Sequence, residues 1–198
     1  MDRTNMENAS KEKIPGAETY APLIWIDMEM SGLEPEKDVI LEVATIITTG
    51  SLEIIAEGPE LVIHHEKELL EGMDDWNREH HRKSGLWSAV LDSTLSLDEA
   101  ERQTLDFIKQ HSQPRKSPLC GNSIWQDRRF IAKYMKPIDQ YLHYRMIDVS
   151  TVKELARRWH PGILDKKAKK KGNHRALDDI RESIEELKFY KDNLFAKI

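Results

Sequence analysis

The chain has 198 residues, 39% hydrophobic and 33% charged, which suits one domain with a substantial core and excludes a disordered or fibrous chain. A formal net charge of −5 argues against a protein that grips long nucleic acid along many phosphates, and leaves a short anionic ligand open. One cysteine, Cys120, excludes an intramolecular disulfide and a cysteine-held zinc. Asp2, Glu7 and Glu12 near the N-terminus, with no signal-like or membrane-length apolar run, predict a cytoplasmic location.

Residues 1–21 are polar, with Pro15 and Gly16, and read as a flexible arm before a domain spanning 22–198. Leu23-Ile24-Trp25-Ile26 has the pattern of a central strand covered on both faces. A second strand is expected over Val39–Thr48, although Leu41-Glu42-Val43-Ala44 lacks strict alternation and a helix competes there. After Thr49-Gly50-Ser51, the runs 52–57 and 61–63 read as two more strands separated by a break at Gly58-Pro59. Helices follow near 66–71, 74–83 and 96–112, the last with Leu97, Ala100, Thr104, Leu105 and Ile108 at helical spacing. Leu119-Cys120-Gly121 is a short strand, a helix runs from about Trp125 to Met135 and is ended by Pro137, and Met146-Ile147 is another short strand. A helix from about Thr151, with Thr151 and Glu154 at capping-box spacing, and a long one from about Arg175 to Leu194 close the chain. Strands first, helices later and strands revisited imply an α/β fold, a mixed sheet flanked by helices.

Asp27 and Glu29 stand two apart directly after the first strand, so strand geometry turns both carboxylates to one face. Hard oxygen ligands so placed suit Mg²⁺ or Mn²⁺. Asp127 opens a helix three residues before Phe130, near that helix's buried side. On the last helix, at about 100° per residue, Leu177, Ile180, Ile184 and Leu187 define a core face; Asp179 lies roughly 90° from it and Asp178 points almost directly away. His174 precedes that helix and can exchange protons near neutral pH. Taken singly, each of these five groups is more simply read as solvated surface charge.

Their joint order carries more. Asp-x-Glu after a strand, an Asp opening a middle helix, and His174-Arg-Ala-Leu-Asp-Asp179 resemble the histidine-containing DEDD exonucleases. The blocks Asp27-Met-Glu-Met-Ser-Gly-Leu33, Cys120-Gly-Asn-Ser-Ile-Trp-Gln-Asp-Arg-Arg-Phe130, those spanning 143–159, and His174–Ser183 resemble the oligoribonuclease branch. That resemblance implies a ribonuclease H-like fold and 3′-to-5′ removal of nucleotides from very short single-stranded RNA. It implies two divalent cations, Mg²⁺ or Mn²⁺, held by Asp27, Glu29, Asp127 and Asp179, with His174 as proton acceptor. It further implies substrate contacts by Leu33 and Trp76 on the bases and by Ser123, Arg145 and Ser150 on phosphate and sugar, and a homodimer in which Tyr144 completes the neighbour's site. From sequence alone Tyr144 reads as a half-buried aromatic.

Two features depart from the family pattern: Trp125, where a small residue is usual, and the basic stretch Lys166–Lys171, read first as a solvated loop. His64-His65 and His80-His81 read as surface histidines, and Trp87 and Trp159 as core. Two other functions stay open, a proofreading-type DNA exonuclease and a non-catalytic nucleic-acid binding module of the same fold.

Overall fold

A computed structural model describes residues 20–160, 162–164 and 175–195. Of the expected arm, residues 1–19 lie outside the described part, as do the Lys166–Lys171 stretch and His174. The alternating side chains of β1 (Leu23–Met30) divide between two cores: Ile24, Ile26 and Met28 enter one, Leu23 and Trp25 the other. β2 (Ile40–Thr48) is buried along its whole length, which explains why its sequence does not alternate: both faces are covered. Strand, not helix, is therefore the outcome for this segment.

β3 (Ile54–Val62) runs unbroken through Gly58-Pro59. The expected break is instead an irregularity in pairing with β2, whose register shifts between Ala44 and Ile46. Such a bulge on an edge strand accommodates proline's missing N–H. Gly58 is needed there, since a Cβ would lie 2.6 Å from the Phe107 ring and 2.9 Å from the Thr45 carbonyl oxygen.

Four helices follow, α1 (Lys67–Glu71), α2 (Asp75–Lys83), α3 (Leu86–Asp92) and α4 (Leu97–His111). α2 is capped by Asp74, which accepts from the Asn77 N–H, and α4 by Ser96, which accepts from the Glu99 N–H. β4 (Leu119–Gly121) leads into α5 (Trp125–Tyr134), and Pro137 sits in the first turn of a further helix, α6 (Lys136–Tyr141), where its missing N–H costs nothing. β5 (Met146–Asp148) passes straight into α7 (Val149–Trp159). The cap of α7 is Asp148, so Thr151 lies inside the first turn and donates its hydroxyl to Asp148 instead of capping. α8 (Ala176–Leu194) ends the described fold.

The sheet order is β3-β2-β1-β4-β5, with β1 antiparallel to β2 and parallel to β4, and β4 parallel to β5. Residues of α4, α5 and α6 pack on one face, including Ala100, Ile108, Phe130, Ile131 and Ile138. Ala156 of α7 and Ala176, Ile180, Ile184 and Tyr190 of α8 pack on the other. This is the mixed sheet flanked by helices that the sequence predicts. No described helix is long and apolar enough to cross a membrane. Trp87 is buried as expected, whereas Trp159 is 68% exposed at the end of α7, a correction to its reading as core.

Fully buried Ile184 fixes α8 to the sheet, and truncation to alanine would leave a cavity. Ile184→Ala is expected to lower stability by about 2–5 kcal/mol, measured by urea unfolding.

Candidate active site

The parallel strands β1, β4 and β5 end at one side of the sheet, where α/β folds commonly place their sites. Asp27 and Glu29 occupy the last turn of β1's face toward α8, two residues apart as strand geometry requires. Asp179, in the first turn of α8, meets them there, and one carboxylate oxygen from each of the three lies within 4.8 Å of the others. Asp178 takes a different direction, half-exposed with its Oδ1 accepting from Arg181 at 3.0 Å. Asp127 arrives from the other side of the sheet. It is 6% exposed, and its Oδ1 accepts the backbone N–H of Met28, the residue between Asp27 and Glu29, at 3.1 Å.

These carboxylates are electrostatically costly. Burial, reinforced by the charges of Asp179, Glu42 and Asp127, pushes the Glu29 carboxyl up to about 8, and the Arg175 guanidinium opposes the shift. Burial also raises Asp127, against the Met28 N–H that favours its ionised form. Glu42 had no signal in the sequence: it lies on β2 directly opposite Glu29, is fully buried, and is gripped by Arg175. Only the pairing of residues 133 apart could have shown this.

The residues expected to meet a substrate lie on several elements. Leu33 is 68% exposed on the loop after β1, and its carbonyl accepts from Gln126 and Arg129 of α5. That loop is braced by Asp38, which accepts from the Ser31 hydroxyl at 3.1 Å and the Glu34 N–H at 2.8 Å. Asp38 packs so close to Gly32 that any Cβ there would lie 2.5 Å from its carboxylate. Trp76 on α2 is also 68% exposed, with the His80 ring stacked behind it at 4.6 Å. His81, expected at the surface, is buried; Nε2 lies 3.0 Å from the carbonyl of Met30 and ties α2 to the end of β1. Burial holds its pKa below the ordinary histidine value, so it donates as a neutral ring.

Ser123 adopts a left-handed backbone, φ 51°, which aims its N–H at the Ser150 hydroxyl, 2.9 Å away; the two hydroxyls are 3.1 Å apart. Ser150 in turn donates to Asn122, whose amide donates to buried Ser183 on α8 at 2.8 Å. Tyr144 is 74% exposed, its ring stacked on His143 and carrying the Arg145 guanidinium. The half-buried reading of Tyr144 is thus corrected. Trp125 projects outward beside Arg129 and disturbs no core packing.

Residues 24–187 match the family described as exonuclease. The chain belongs to that family. Within it the chain falls in the oligoribonuclease branch. It is 57% identical over 173 residues to an oligoribonuclease of Marinobacter nauticus, covering 87% of this chain and 96% of that protein. It is 53% identical over 175 residues to the mitochondrial oligoribonuclease of Homo sapiens, covering 88% of this chain and 74% of that one. The fold is that of the nuclease domain of 3′hExo, a DEDDh family member bound to rAMP, at a TM-score of 0.58 and 16% identity over 88% of this chain and 94% of that one. E. coli exonuclease I in a complex with single-stranded DNA superposes at a TM-score of 0.67 and 14% identity, over 88% of this chain and 40% of that one.

The exonuclease is thus a ribonuclease H-like nuclease, and its fold family works with divalent cations. The residues present fit such ions: three hard oxygen donors converge within 4.8 Å, and Glu29 lacks the countercharge to ionise easily without one. A pH dependence follows. Because Glu29 binds its proton more tightly folded than unfolded, the cation-free protein should lose stability as pH rises from about 4.5 to about 8, with no further loss from this group above. Melting temperatures in chelator should show that fall, and Mg²⁺ or the substitution Glu29→Gln should flatten it. Superimposable profiles for all three would disprove the assignment.

Proposed function

We propose that this exonuclease degrades short single-stranded oligoribonucleotides to mononucleotides from the 3′ end. The observation that carries the reading is the convergence of Asp27, Glu29 and Asp179 at the end of β1, with Asp127 tied to the strand between them. Asp27, Glu29, Asp127 and Asp179 would hold two divalent cations, Mg²⁺ or Mn²⁺, which supply activation of the attacking water and neutralisation of the leaving oxygen. His174 would take the proton of that water. The exposed Leu33 and Trp76 are suited to base faces, and stacking tolerates any base. The paired hydroxyls of Ser123 and Ser150, with Arg145, would meet phosphate and sugar.

The exposure of Tyr144 supports a homodimer in which it serves the neighbouring site, and the bacterial relatives are consistent with action in the cytoplasm. We also infer a single domain over 22–198, within which the family match over 24–187 falls. The names of the curated relatives support RNA over DNA, and the filled carboxylate set supports catalysis over simple binding.

End-labelled RNA and DNA dinucleotides and longer strands, offered side by side, test the substrate. RNA dinucleotides should be cleaved fastest, with activity lost in chelator and restored by Mg²⁺ or Mn²⁺; preference for long DNA would refute the assignment. Asp179→Asn should abolish turnover while Asp178→Asn leaves most of it. His174→Ala should reduce kcat by about 10² to 10⁴-fold with little change in substrate binding.

A further inference from the structure

Three features lie outside the machinery described above: the Glu42–Arg175 pair, the polar chain from Glu186 through Asn122 to Ser150, and the outward-facing Trp125. The first carries an inference furthest. Helix α8 begins without a cap of its own: Arg175 stands at its N-cap position with an extended backbone, φ −127° and ψ 132°, and makes no side-chain cap hydrogen bond. Its first free N–H, that of Ala176, is taken by a carboxylate from another element, Glu42 Oε2 at 3.1 Å. The same carboxylate receives the Arg175 guanidinium at 2.6 Å on Oε1 from Nη2, and at 3.0 and 3.2 Å from Nε. Glu60 on β3 adds a second contact to that guanidinium at 3.3 Å.

Arg175 also carries the backbone oxygen that receives the Asp179 N–H, at 3.0 Å. One strand carboxylate therefore holds the residue on which Asp179's own helical turn is built. Glu42 pairs with Glu29 across the strands, so the two sides of the carboxylate cluster hang from the same position on β2. Glu42 is fully buried while Arg175 is part-exposed, so displacing the guanidinium or the Ala176 N–H leaves a desolvated carboxylate unmatched. The carboxylate also lies at the positive end of the helix dipole, which it favours.

We propose that Glu42 and Arg175 are positioning residues: clamped together, they set the start of α8 so that Asp179 faces Asp27 and Glu29 at cation-binding distance. This deepens the reading of the site as a cation centre and rests on it. Glu42→Gln keeps an acceptor for the Ala176 N–H but cannot neutralise Arg175, and it leaves a positive charge beside the cluster. Arg175→Lys keeps the charge and loses the forked grip.

The test is Mn²⁺ titration by calorimetry on wild type and both variants, below their melting temperatures, with kcat and KM on an RNA dinucleotide measured in parallel. Each folded variant should bind Mn²⁺ about 10-fold or more weakly and lose kcat with little change in KM, in the range seen when partners of metal ligands are removed. Lower melting temperatures with wild-type Mn²⁺ affinity would mean a structural role only and overturn the proposal. If Glu42→Gln does not fold, Arg175→Lys decides by the same criterion. Failure of the wild type to bind Mn²⁺ would instead overturn the reading of the site, and this inference with it.

Discussion

Like-charged carboxylates resist being brought together away from water, and this molecule brings several to the end of one strand. The cost is legible in Glu29, whose proton is held to about pH 8 by burial and by the charges of Asp179, Glu42 and Asp127. Much of the architecture can be understood as what keeps that arrangement from relaxing. β1 is paired with β2 through Asp27 and Glu29, so the two cannot swing apart without breaking that ladder. The register of β1 against β2 shifts only beyond Glu29, where the strand departs into the Leu33 loop. Asp127 is held by the backbone between them, and the Arg175 guanidinium, paired with Glu42, offsets only part of the repulsion on Glu29.

Rigid placement also extends from the carboxylates to their surroundings. The chain of hydrogen bonds from Ser183 through Asn122 to Ser150 and Ser123 joins the same helix that carries Asp179 to the turn before α5 that carries Asp127. α8 therefore contributes twice, through Asp179 to the cluster and, one turn later, through Ser183 to the hydroxyl pair. Its buried Glu186 adds a second acceptor for Asn122 at 3.5 Å and takes the Tyr190 hydroxyl at 2.8 Å. Burying these groups is tolerable because each finds a partner, and the left-handed strain at Ser123 is held by the same bonds.

Short-range periodicity revealed a large part of this. Strand alternation placed Asp27 and Glu29 together, and helical phase separated Asp179 from Asp178, because both depend only on neighbours in the chain. Glu42 was invisible for the opposite reason. Within Leu41-Glu42-Val43-Ala44 it looks like a misplaced charge in a buried strand, and its partner is 133 residues away. His81 reads as a surface residue because the Met30 carbonyl that satisfies it belongs to another element. Trp159 reads as core because hydrophobic periodicity on an amphipathic helix does not say how far the neighbouring elements extend to cover its end. Gly58-Pro59 reads as a terminator locally, yet β2 pairs on either side of it and the strand continues.

The distribution of positive charge bears on how such an acidic chain can hold an anionic ligand. Among the described residues, Arg128 pairs with Asp139, Arg175 with Glu42, and Arg181 with Glu57 and Asp178, so these guanidiniums are already committed to the protein's own carboxylates. Arg145, by contrast, lies exposed against the Tyr144 ring. With a formal net charge of −5 on the chain, a long polyanion would gain little from counterion release along its length. Exposed apolar groups fixed in place offer another source of affinity: Leu33 on its braced loop and Trp76 against His80 present surfaces whose contacts do not grow with strand length. A ligand bound mainly through two bases and one phosphate draws nearly all its affinity from those first nucleotides. Further ones add charge against an acidic surface, and on that balance the proposed preference for very short strands needs no steric stop.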